Sequence, residues 1–313
     1  MKYIAVSFIV ILIYFLFFYE SNTQKSEKKE KIIVRIADKE KNIIRASDPR
    51  WKKWTAVRQV SDPNLGVVLG DLESHLPKGH KYTDDNKITW AHQATHGINA
   101  LIRNQINNKE PCNGFYVLQD RALVVKEPNI NLKDVAVEIP EKLRGPSYNI
   151  YLNEQQEKWN DRPLYLVDEW IAFTNGAEVG KELNCDGWYY ELFQAHNFNV
   201  YCLYMVMVLN RDVSNYNDVE LKKLLMWNIE RVFAISIPSD RDEIDKIIQK
   251  KRVSLNTNHF CPHCRMENTG KKIDLKKIKE YVELIKNLPE GENLREFSRQ
   301  YFGEDWCKRI YGF

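Results

Sequence analysis

Thr89 to Asn104, "TWAHQATHGINALIRN", decides how this chain is read. His92 and His96 stand four residues apart, so on a helix they lie one above the other and can face a single ion. Ile88, Ala91, Thr95, Ile98 and Ile102 recur with helical period and predict one buried side. Asp84 or Asp85 would cap the start, and "NNKEPCNG" would stop the helix near Asn104 with Asn, Pro and Gly. Gly97 follows the second histidine, and a helical glycine suggests close approach by something else at that point. The plainer alternative is a half-buried helix with two separately hydrogen-bonded histidines.

Two histidines do not make a centre, because zinc takes a third protein ligand and, in catalysis, keeps one position open. The best supplier is "YLVDEWIAFTNG", Tyr165 to Gly176, where Asp168 and Glu169 interrupt an otherwise apolar helical run. The competing explanation is electrostatic. Both carboxylates follow Pro163 closely enough to sit in a first helical turn, where the helix dipole favours negative charge.

His-x-x-x-His on one helix, followed by a Glu-aromatic-x-Ala helix, resembles the gluzincin class of zinc metallopeptidases, in the pattern of the anthrax lethal factor catalytic domain. The resemblance runs from Ile88 to Phe173. It implies a zincin-like α+β fold and Zn2+ held by His92, His96 and Glu169. It also places Gln93 where that class carries its catalytic Glu. Glu there takes a proton from the attacking water, and Gln, though isosteric, cannot. The resemblance therefore implies a degenerate or weakly active peptidase acting on a peptide or protein. His75, His80, Asp84 and Asp85 are candidate substitute bases, and Tyr165 or Tyr151 could polarise a carbonyl.

Composition narrows the alternatives. The 313 residues are 43% hydrophobic and 28% charged with a net charge of +3, which is ordinary globular composition without the basic excess of a nucleic-acid binder. The 8 Trp and 16 Tyr read first as core. Tyr3 to Tyr19 is a 17-residue apolar run without a small-x-small cleavage site after it, so residues 1–20 are expected to be a membrane anchor or uncleaved signal. Residues 21–32 would be a charged tether. The lysines after the run favour a cytosolic domain by the positive-inside rule, whereas a secretory start favours the opposite side.

Residues 33–240 are assigned to the zincin-like domain, with a short strand at Ile33–Ile36. A hairpin is expected in "GFYVLQDRALVVKEP" about Gln119–Asp120, and mainly helical sequence follows. That hairpin is also a candidate edge for an extended peptide. Residues 241–313 would be a helical region holding "NHFCPHC", in which His259, Cys261 and Cys264, with Cys307, are candidates for a structural metal or thiol site. Cys112, Cys185, Cys202 and Cys307 are scattered singly and read as small buried hydrophobes. The competing function is a non-enzymatic membrane-anchored binding or scaffold protein, its aromatic helical half docking a partner and its histidines incidental. No residue pattern sets an oligomeric state.

Overall fold

A computed structural model describes residues 51–60, 62–80, 83–106, 110–185, 187–236 and 275–313. All of these belong to one compact unit spanning 39–313. The single-pass membrane expectation is corrected: among the described residues no helix is long and apolar enough to cross a membrane. The apolar run 3–19, the tether and the Ile33–Ile36 strand lie outside the described residues.

Helix α1, Gly66–His75, precedes the decisive helix α2, Lys87–Gln105. The cap of α2 is Asn86 rather than Asp84 or Asp85. Its side chain accepts from the Ile88 and Thr89 amides at 3.0 and 3.5 Å, while Asp84 accepts from the Asn86 amide at 2.7 Å. Asp84 and Asn86 divide the work of ending the loop and starting the helix. Ile88, Ala91, Ile98 and Ile102 are buried as the periodicity predicts, but so are His92, His96 and Asn99. The buried surface of α2 is wider than one apolar stripe because neighbours cover it on more than one side.

The first of those neighbours is a three-stranded antiparallel sheet of order β1–β3–β2, made by Lys52–Lys53, Arg121–Lys126 and Cys112–Tyr116 respectively. The predicted hairpin is β2–β3, with Gly114 opposite Val124 and Tyr116 opposite Ala122. Its turn runs through Leu118, Gln119 and Asp120, all left-handed at φ 63°, 55° and 58°. Each such residue costs about 1–2 kcal/mol for a side chain with a Cβ. Asp71 on α1 offsets this by accepting from the Gln119 amide and the Tyr116 hydroxyl, both at 2.9 Å. His75, 1% exposed, adds a 2.8 Å contact to Asp120.

Gly114 brings β2 against α2. A Cβ there would lie 2.2 Å from Ile102 Cγ2 and 2.9 Å from the Arg103 backbone nitrogen. Gly114→Ala is therefore expected to cost about 1–3 kcal/mol as helix and strand are forced apart. Urea denaturation checks this, and an unchanged midpoint would show that the contact relaxes freely.

Helix α3, Leu132–Glu138, leads through a π-helical turn at Ile150–Glu154 to α4, Tyr165–Glu182. Helix α4 is buried along almost its whole length, with Trp170, Ile171 and Ala172 at 0% exposure. It lies between α2 and α5, Trp188–Asp212. A polar ladder runs across these layers: Asn175 donates to Thr95 at 2.7 Å, and Asn228 on α6, Val219–Ser236, donates to Thr174 at 3.0 Å. Helix α7, Leu275–Asn287, and helix α8, Glu292–Phe302, pack on α5, while α9, Glu304–Ile310, packs on α8 and α6. The coarse α+β expectation holds: a small sheet early and helices after it. Cys202 and Cys307 are buried free thiols and Cys112 is a half-buried one, whereas Cys185 is disulfide-bonded.

His196 on α5 is fully buried, 2.9 Å from the Ser236 hydroxyl and edge-on to Phe233. Burial first and the Lys286 charge second push its pKa down to about 3. The native state keeps this imidazole neutral while the unfolded chain protonates it near 6.5, so stability falls as pH drops from 6.5 toward 3. The expected slope from this group is about 1.4 kcal/mol per pH unit. Denaturation at pH 6.5 and pH 5 should show a loss about 2 kcal/mol smaller in His196→Gln. An equal loss in both chains would contradict it.

Candidate metal centre

Helices α2, α4 and α5 converge on two histidines and three carboxylates, all nine-tenths or more buried. From α2, His92 and His96 project side by side with ring centroids 4.9 Å apart. From α4, Glu169 enters between them. His92 Nε2 stands 3.6 Å from Glu169 Oε2, and His96 Nε2 stands 3.7 Å from Glu169 Oε1. These separations are too long for hydrogen bonds. They suit co-ligands instead, since two ligands roughly 2.0–2.1 Å from a tetrahedral zinc stand about 3.4 Å apart. Glu169 Oε2, fully buried, makes no hydrogen bond. One atom from each of the three residues can be chosen so that all lie within 4.8 Å, and the group can hold a metal ion.

The other ring nitrogens point outward to further carboxylates. His92 Nδ1 lies 3.3 Å from Glu191 Oε2 on α5, and His96 Nδ1 lies 3.0 Å from Asp168 Oδ2 on α4. Carboxylates behind the histidines fix ring orientation and raise ligand basicity, the usual arrangement around a bound metal. Gly176 makes room for one of them, because a Cβ there would sit 2.7 Å from Glu191 Oε2. Asp168 also accepts from Asn99 Nδ2 at 2.6 Å, and Asn99 Oδ1 accepts from the Tyr116 amide at 2.8 Å.

The charges hold one another. Burial alone would lower the His92 pKa, but the Glu169 and Glu191 carboxylates outweigh it and raise it to about 10. Burial would likewise raise Asp168 and Glu169, yet His96 first, with Asn99 beside Asp168 and His92 beside Glu169, keeps both below the ordinary carboxylate range. Such an assembly of perturbed groups marks a functional-site candidate.

Tyr165 begins α4, one turn before Glu169, and donates to Gln155 Oε1 at 3.2 Å. Tyr151 comes from the π-helical turn, a distortion frequent at functional sites. Burial and the Glu169 charge push both phenols well above their usual range, so both are neutral donors beside the cluster. Phe173 closes one side, its ring 4.6 Å from that of His92. Gln93 is half-buried beside His92, and among the described residues no hydrogen bond joins it to the cluster.

Of the suggested substitute bases, His75 is engaged with the hairpin turn and Asp84 with the start of α2. His80 packs over Gly97, where a Cβ would meet its Cε1 at 3.2 Å; the close approach at that glycine is by side chains. Asp85 is exposed. At the second candidate centre, Cys307 is a buried thiol on α9 that burial raises to about 11. His259, Cys261 and Cys264 lie outside the described residues.

Glu191 escapes sequence reasoning because it is one carboxylate at the start of an aromatic-rich helix, 99 residues from His92. Asn99 is legible only as a polar residue inside an apolar stripe. No family model matches the chain, and neither a curated protein nor a solved structure matches it.

Proposed function

We propose that this chain is a zincin-like zinc-binding protein, a degenerate or weakly active metallopeptidase whose metal ligands are His92, His96 and Glu169. The observation that carries the reading is the opposed use of the two ring nitrogens. Each Nε2 faces the Glu169 carboxylate at 3.6 or 3.7 Å, while each Nδ1 is held by a separate carboxylate. Two incidental histidines would satisfy themselves independently rather than turn both Nε2 atoms toward one shared oxygen pair. The donor set, two imidazoles and a carboxylate, suits zinc.

When bound, zinc would polarise a water molecule and a substrate carbonyl. Glu191 and Asp168 orient the two imidazoles, and Tyr151, or Tyr165 on releasing Gln155, can donate a hydrogen bond to an oxygen close to Glu169. Gln93 can donate or accept a hydrogen bond but cannot remove a proton, so turnover is slow. A peptide or protein is the corresponding substrate class.

A second reading is favoured by burial. His92, His96 and Glu169 are 8%, 5% and 3% exposed. Cavities of about 470 and 360 Å³ are lined by other residues, among them Tyr204 and Phe297 in the larger and Cys112 and Tyr216 in the smaller. On this reading the ion is structural, tying α2 to α4, and the chain is a binding protein.

Both readings rest on the metal, so the first test is zinc content of the full-length chain and its His92→Ala and Glu169→Ala variants. One zinc per chain, lost in both variants, is the expected result. A metal-replete wild type without zinc would end both.

A further inference from the structure

We propose that Asn99 is a positioning residue for the metal centre: it transmits the polarity of the β2 backbone to His96 and so orients His96 with Nε2 facing Glu169. The inference rests on the metal-centre reading and adds to it the origin of the ligand's orientation.

The argument begins at a group with no freedom. The Tyr116 backbone N–H can only donate, and it points away from β3, toward α2, where Asn99 Oδ1 accepts it at 2.8 Å. Buried backbone N–H groups are almost always paired, and Asn99 is 0% exposed, so no water offers an alternative. This fixes which end of the Asn99 amide is oxygen. Nδ2 must therefore point the other way, where it donates to Asp168 Oδ1 at 2.6 Å.

An amide nitrogen cannot accept, so Asp168 has to act there as an acceptor. Its second oxygen, Oδ2, then faces His96 Nδ1 at 3.0 Å and accepts the Nδ1 proton. Fixing that nitrogen as donor leaves the opposite one, Nε2, as the position for an ion. Each link is directional, and the chain of three hydrogen bonds runs from strand to helix to helix without an exposed member at Asn99, Asp168 or His96.

Two substitutions break it differently. Asn99→Leu keeps roughly the same volume and removes both bonds. Asn99→Asp keeps the acceptor for Tyr116 but sets a second carboxylate against Asp168. Outer partners of metal-ligating histidines typically account for about 10–100-fold in metal affinity.

The experiment has two readouts on the full-length chain. The first is nitrogen-15 NMR of the metal-free protein, in which His96 should show a slowly exchanging Nδ1–H in wild type that is lost in Asn99→Leu. The second is the zinc dissociation constant by chelator competition. It should rise about 10–100-fold in either Asn99 variant, and Asn99→Leu should add little on the Asp168→Asn background, because Asn99 reaches His96 only through Asp168. A His96 proton carried on Nε2 alone in wild type overturns the proposal without any variant, even if the substituted chains fail to fold. Additive losses, or Asn99 variants with wild-type affinity, overturn it as well. If wild type takes up no zinc yet keeps the protected Nδ1–H, the relay stands and it is the metal reading that fails.

Discussion

Zinc supplied to the metal-free chain is expected to raise its unfolding free energy by about 4 kcal/mol when the free ion exceeds its dissociation constant a thousandfold. The stabilisation follows from the packing. Asp168, Glu169 and Glu191 are buried with two histidines, so negative groups outnumber their partners inside the protein. A divalent cation at the shared Nε2 side offsets that excess, and no comparable site preforms in the unfolded chain. Glu169→Gln keeps the shape and removes the ligand charge, so its melting temperature should no longer respond to zinc. Calorimetry with zinc and with chelator reads both chains. Equal melting temperatures for wild type under the two conditions would mean that the cluster is a self-sufficient ion-pair network.

Gln93→Glu is expected to raise peptide hydrolysis by about 10²–10⁴-fold over wild type, the usual contribution of a positioned general base. Gln93 directly follows His92 on α2 and is only half-buried, so a carboxylate there remains ionised without a dedicated partner. The assay compares turnover of a broad peptide mixture by zinc-loaded wild type, Gln93→Glu and the double variant Gln93→Glu/His96→Ala. Gain in the first variant and loss in the second would establish that the chain lacks only its base. No gain in a zinc-loaded Gln93→Glu chain would favour the structural ion, in keeping with the 3–8% exposure of His92, His96 and Glu169.

Much of α2 was legible because its apolar residues repeat every three or four positions and its end is marked by Asn, Pro and Gly. The β2–β3 hairpin was legible for a similar reason, two β-rich runs about a short polar turn. The unusual turn was not. Three successive left-handed residues without glycine are held by Asp71 and His75, more than forty positions earlier. The wide burial of α2 was equally hidden, since periodicity reports one apolar side and says nothing of polar atoms satisfied by a neighbouring helix. Asn86 as cap, rather than Asp84 or Asp85, turned on loop geometry that three adjacent polar residues leave open.

The sequence by itself determined a helix carrying His92 and His96 on one side, a later helix interrupted by two acids, and a composition that is neither basic nor repetitive. These are local properties, set by side-chain spacing along a helix of known pitch. Only the tertiary structure decided between the acids. Asp168 and Glu169 are about 100° apart around α4, and because α4 is covered by both α2 and α5, both can be buried. Glu169 meets the Nε2 atoms and Asp168 supports one imidazole from behind. Only the tertiary structure supplied Glu191 and the Tyr116–Asn99–Asp168 chain. Their partners are far apart in sequence, and it is the packing of α2 against β2, α4 and α5 that brings them within hydrogen-bonding distance.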